Sequence, residues 1–155
     1  MLDDLWHLRG SVSLDRANPG AAALEGVAQL LDGEGCCERE RGPEHIVFDR
    51  PFWRELSEPK WPVLGIYDRG RFWIERDLDG VILCYDLSSF RAMVFCLFIA
   101  LIAFFFGLAD KRLTEGGLAG GLQYAVVAFV WLYGVNILIS LRRVPSAMRK
   151  AVARK

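Results

Sequence analysis

Two stretches without a single charged residue, 92–109 and 118–141, restrict this chain more than any motif in it. They hold 18 and 24 residues. At about 1.5 Å of rise per residue, each reaches across a hydrocarbon core of about 30 Å as a helix. With only a short polar connection between them, they read as a two-span transmembrane hairpin. The expected organisation is a cytoplasmic domain over 1–90, the hairpin over 91–141 and a basic cytoplasmic tail over 142–155.

Orientation follows from the flanking basic residues. Lys111 and Arg112 lie in the connection, whereas Arg142, Arg143, Arg149, Lys150, Arg154 and Lys155 follow the second run. Excess Lys and Arg marks the cytoplasmic side, so the C-terminus is expected there, and a hairpin returns the N-terminal domain to the same side. Size and topology fit a bacterial inner membrane. Residues 1–10 carry two aspartates and no apolar core of a signal peptide, which leaves insertion to the later spans.

The runs also carry a pattern of small residues. Ala92, Cys96, Ala100, Ala103 and Gly107 fall on one helical stripe, as do Gly117, Gly121, Ala125 and Ala128. Small side chains let helix backbones approach closely in lipid, so the two stripes are expected to pack on each other. A homo-oligomer built through one of them is the rival arrangement. On the second helix Tyr133, Asn136 and Ser140 share another side. Asn in hydrocarbon needs a hydrogen-bond partner, either on another protein or on backbone and interfacial water.

The domain reads as α+β, one helix on a mostly antiparallel sheet in the order β-α-β-β-β-β-β. Alternation predicts a strand over 11–14. Asn18-Pro19-Gly20 predicts a helix start, with Leu24, Val27, Ala28 and Leu31 as its apolar face and Asp32-Gly33 as its end. Strands are expected over 36–41 and 45–49 around the turn Arg41-Gly42-Pro43-Glu44, then over 63–67, 71–75 and 81–85. Asp68-Arg69-Gly70 and the four residues ending at Gly80 supply the last turns. Asp86-Leu87-Ser88-Ser89 leads into the first span. The segment 51–62 has three prolines and aromatic residues, of which Trp53 and Trp61 are candidate partner contacts.

Charge is unevenly spread. Residues 1–91 hold 11 basic and 17 acidic side chains, while the last 14 residues hold six basic and none acidic. An acidic domain is a poor match to nucleic acid. In the tail Val144, Met148, Ala151 and Val152 share a helical face, the pattern of a short helix lying on an anionic membrane surface.

The chain lacks the phosphate-loop, zinc-protease and nucleophile-elbow motifs. His7 and His45 each stand alone in the sequence. Cys36, Cys37, Cys84 and Cys96 form no CxxC pair and read as small buried hydrophobes rather than as a metal site with His45. No cofactor or metal is expected. The function these features suggest is that of a non-catalytic accessory or assembly subunit. It would contact membrane lipid and other integral membrane subunits through its helices and its domain. The alternative is a membrane-tethered binding or sensing module that recruits a soluble partner or ligand. An enzyme using Asp68, Glu75 and Asp86 is the remaining class.

Overall fold

The computed structural model describes residues 6–14, 20–50, 63–77, 80–109 and 117–153. The chain forms two units, residues 1–90 with 140–155, and residues 91–139.

In the first unit five strands make one antiparallel sheet: β1 (His7–Leu14), β2 (Cys37–Arg41), β3 (His45–Asp49), β4 (Arg69–Asp77) and β5 (Gly80–Ser88). Their spatial order is β1-β5-β4-β3-β2. The helix α1 (Gly20–Gly33) connects β1 to β2. Period-two alternation decides which side chains are inside. Val12, Leu14, Ile46, Phe48, Phe72, Ile74, Leu83, Tyr85 and Leu87 are buried on the helix-covered face. Ala23, Leu24, Val27, Ala28 and Leu31 of α1 pack onto them. Phe48 and Phe72, from adjacent strands, stack with centroids 5.8 Å apart. The fold is α+β, as the pattern predicts, and β3 has the expected bounds.

Three expectations need correction. Residues 63–66 form turns rather than a strand. The Glu34 carboxylate accepts the N–H groups of Val63 and Leu64 at 2.9 and 2.8 Å, and Leu64 and Tyr67 drop into the core. A backbone whose amides are taken by a side chain cannot also join a strand ladder. The order is therefore β-α-β-β-β-β, one strand shorter. Next, Arg69 and Gly70 belong to β4, and Asp86, Leu87 and Ser88 to β5, so two residues of the predicted turn and the span entry at 86–88 are ladder. Lastly, β1 begins at His7, because Leu8 and Gly10 continue the inward alternation. A side chain on Gly10 would overlap the Tyr85 phenol that lies over it.

The most informative difference lies near the C-terminus. The helix α4 (Val135–Ala153) continues well past Leu141. Its Val144, Met148 and Ala151 are buried, with Val144 and Met148 inside the same core as α1 and the sheet. The predicted helical face exists, but it is covered by the domain instead of by a membrane surface. Burying Val144 and Met148 is worth about 1.5–3 kcal/mol each. Pro145 sits inside this helix and removes the N–H that would bond the Leu141 carbonyl. The interruption thus falls where the charge-free run ends.

The second unit contains α2 (Phe90–Ala109) from Arg91 onward, α3 (Leu118–Phe129), a π-helical turn (Val130–Gly134) and the start of α4. Both apolar segments are long enough to cross a membrane: Phe90–Ala109, and the continuous helix Leu118–Ala153 that contains the second run. Their large apolar side chains point outward, with Phe98, Phe106, Leu122, Val127 and Trp131 all exposed. Helices in the core of a soluble protein would hide such groups.

Gly26 of α1 gives a direct test of the domain's closure, since a Cβ there would overlap the Ala151 carbonyl oxygen. Gly26→Leu should push the end of α4 off the domain and lower unfolding stability by about 1–3 kcal/mol. Gly33→Ala, where an added Cβ meets nothing within 4 Å, should leave it within about 0.5 kcal/mol. Thermal denaturation of the two variants in the same detergent reads the contrast.

Candidate functional site

The small-residue stripes come together in part. A Cβ on Gly107 would stand 2.9 Å from the Gly120 carbonyl oxygen and 2.9 Å from the Gly121 Cα, and one on Gly121 would stand 2.9 Å from the Phe104 ring. Cys96 and Ala100 are also buried, whereas Ala92, Ala103, Ala125 and Ala128 are half-buried and Gly117 is exposed. Backbone contact between α2 and α3 is therefore concentrated at Gly107, Gly120 and Gly121. Gly117 precedes α3 at a φ of 32°, a conformation that favours glycine.

Asn136 has its hydrogen bond within its own helix. Its side-chain amide donates to the Leu132 carbonyl at 2.6 Å, inside the stretch where the π-helical turn disturbs the regular ladder. Tyr133 is buried and stacks on Phe129 with centroids 5.4 Å apart. Ser140 is buried as well. Trp53 and Trp61 lie outside the described residues.

A surface that sequence reading missed is the outer face of the sheet. Among the described residues of the first unit no helix covers it. Strand register sorts its side chains into rows. Arg9, Asp86, Arg71, Val47 and Glu40 form one row, flanked by Ser11, Cys84, Trp73 and His45 on one side and by His7, Ser88, Arg69, Asp49 and Cys37 on the other. Asp86 is the hub. His7 Nδ1 lies 2.5 Å from its Oδ1, and Arg9 Nε donates to its Oδ2 at 3.0 Å. Arg71 lies over the Trp73 ring at 5.8 Å. Together His7, Val47, Arg69, Arg71, Trp73 and Asp86 bound a shallow, largely apolar depression of about 300 Å³. The signal for it was the alternation itself, because β1 and β5 run on through His7, Arg9 and Asp86.

The other sequence candidates are dispersed. Asp68 is buried, Glu75 lies two rows from Asp86 on the outer face, and the three carboxylates do not converge. His45 pairs with Glu40 at 3.2 Å. Among the described residues no three His, Cys, Asp or Glu side chains are grouped to hold a metal ion. Cys36 and Cys96 are buried, but Cys37 is exposed and Cys84 half-buried, so only two of the four are the expected buried hydrophobes.

Comparison with models of known families and with curated proteins finds no match to this chain.

Cys84 is a reporter for the outer face. Desolvation raises its thiol pKa first, followed by a 3.4 Å hydrogen bond to Glu75 and that carboxylate's charge. A raised pKa means less thiolate, the reactive form, at a given pH. Glu75→Gln removes the charge, so alkylation of Cys84 at pH 8 should quicken about two- to tenfold relative to exposed Cys37, with the rate profile shifted to lower pH. Mass spectrometry after timed iodoacetamide treatment measures both sites.

The glycine contact of the hairpin is tested separately. Gly121→Leu drives a branched side chain into Phe104 and should lower the detergent melting temperature by several degrees, an effect of about 1–3 kcal/mol. Leu122→Ile, at an exposed position, should leave it unchanged.

Proposed function

We propose that this protein is a non-catalytic accessory subunit of an integral membrane complex, anchored by α2 and the 118–141 segment and docked through the outer face of its sheet. The single observation that carries the reading is that face. It presents an aromatic residue beneath an arginine, flanked by two further arginines and a carboxylate hub, around an apolar depression. Trp and Arg set in partly apolar surroundings are the side chains that dominate binding energy in protein interfaces. Lipid covers the outward Phe, Leu and Val side chains of the hairpin.

Anchoring in a bacterial inner membrane with both termini cytoplasmic belongs to the same proposal. It rests on the basic residues after the second run. It is supported by the domain core, which takes Val144 and Met148 together with residues before the hairpin.

One observation favours the second reading, a tethered module that recruits a soluble partner. Asn136 bonds its own helix and does not need a neighbouring membrane chain.

Extraction in mild detergent, followed by native mass measurement and identification of the retained chains, distinguishes the two. A membrane subunit should co-purify with other integral chains, and Arg71→Glu/Trp73→Ala should reduce their retention at least tenfold without changing the melting temperature. Retention of a soluble chain, lost in the same variant, selects the recruiting module. A lone species, or partners retained equally by the double variant, overturns the docking face.

A further inference from the structure

A second depression lies within the first unit, between α1 and the end of α4. Its volume is about 390 Å³, and its walls are Gly26, Gln29, Leu30 and Val63 on one side and Arg143, Ser146, Ala147, Lys150 and Ala151 on the other. We propose that this cleft binds a phosphate-bearing anion, and that its source is the headgroup of an anionic phospholipid.

The chemistry follows from what each helix contributes. Arg143 and Lys150 are seven residues apart, two helical turns, and therefore on one face of α4. Ala147 stands between them on that face, and its small side chain leaves a trough with a cation at each end. Across the trough α1 offers Gly26, whose missing side chain admits the α4 backbone, and the neutral amide of Gln29. No carboxylate lines the cleft among the described residues. Arg143 and Lys150 are exposed, so neither cation is held inside the fold. Arg supplies a planar fork suited to phosphate oxygens and Lys a point charge, a combination that recurs at phosphate sites. Leu30, Val63 and Ala147 add apolar surface that a glycerol backbone or the first methylenes of an acyl chain can cover.

Ser146 takes a lesser part. Its hydroxyl donates to the Arg143 carbonyl at 2.8 Å, bracing the turn around Pro145 that begins at Arg143. Arg149 differs from its neighbour. Its charge lowers a Tyr85 phenol pKa that burial raises, and it is absent from the walls of the cleft that Lys150 borders.

The lipid source is favoured by position in the chain. Arg143 comes two residues after Leu141, the end of the charge-free run, where a membrane-spanning helix meets headgroups. The proposal depends on the membrane anchoring above but not on the docking face.

The test uses the full chain, purified in detergent and offered equal amounts of phosphatidylglycerol and phosphatidylcholine, with bound lipid counted by native mass spectrometry. Two exposed cations should give the wild type about a tenfold preference for phosphatidylglycerol, and Arg143→Gln/Lys150→Gln should bring it below about twofold. Arg142→Gln/Arg149→Gln removes the same charge from the same stretch outside the cleft and should keep the preference. Glycerol 1-phosphate at millimolar concentration distinguishes the sources. Failure to displace the lipid supports the headgroup, whereas tight binding of glycerol 1-phosphate with no lipid preference overturns it in favour of a soluble ligand. No preference in the wild type, or equal loss in both double variants, overturns the cleft altogether. Flotation of the same chain with neutral liposomes checks anchoring independently, since that depends on the apolar runs and not on Arg143 or Lys150.

Discussion

The structure depends on one act of burial, the insertion of Val144 and Met148 into a core otherwise built from residues before the hairpin. The sheet brings a complete inward row of apolar side chains from β1, β5, β4 and β3, and α1 covers part of it. The remaining cover comes from chain that has already passed through 92–141. The hairpin is thus an insertion inside a domain rather than an appendage at its end. Gly26 records the closeness of this closure, because no side chain fits between α1 and the Ala151 carbonyl.

That arrangement makes geometry, and not only charge, a constraint on topology. Positive-inside bias ranks orientations by the location of Lys and Arg. A shared core is a second condition on the same segments, since Leu31, Phe72 and Met148 are buried together although the hairpin separates them in sequence. The basic residues of α4 then have more than one task. Arg149 acts on a tyrosine of the domain, while Arg143 and Lys150 border an open cleft.

Much of this was legible because apolar periodicity is a direct physical signal. The charge-free runs, the inward face of α1, β3 and the alternation of Phe72 and Ile74 against Trp73 and Glu75 all follow from it. Where reading from sequence erred, a specific contact intervened. Residues 63–67 have the composition of a strand, but Glu34 captures two of their amides. Gly10 interrupts the visible alternation of β1 because an aromatic ring occupies the inward place beside it. In the tail the apolar face was legible and its cover was not, since an amphipathic helix specifies that something must cover it and not what. The outer sheet face was harder still. Its Asp86 lies 79 and 77 residues from His7 and Arg9 and becomes their neighbour only through register.

Closure by a late segment also orders events during synthesis. The first 90 residues emerge with their inward apolar row only partly covered, and more than 50 further residues must be made before Met148 exists. At about 5–20 residues per second this interval lasts several seconds. During it the two helices long and apolar enough to cross a membrane are made. The nascent domain is therefore unfinished while α2 and α3 are being made, and the last turns of α4 complete its core.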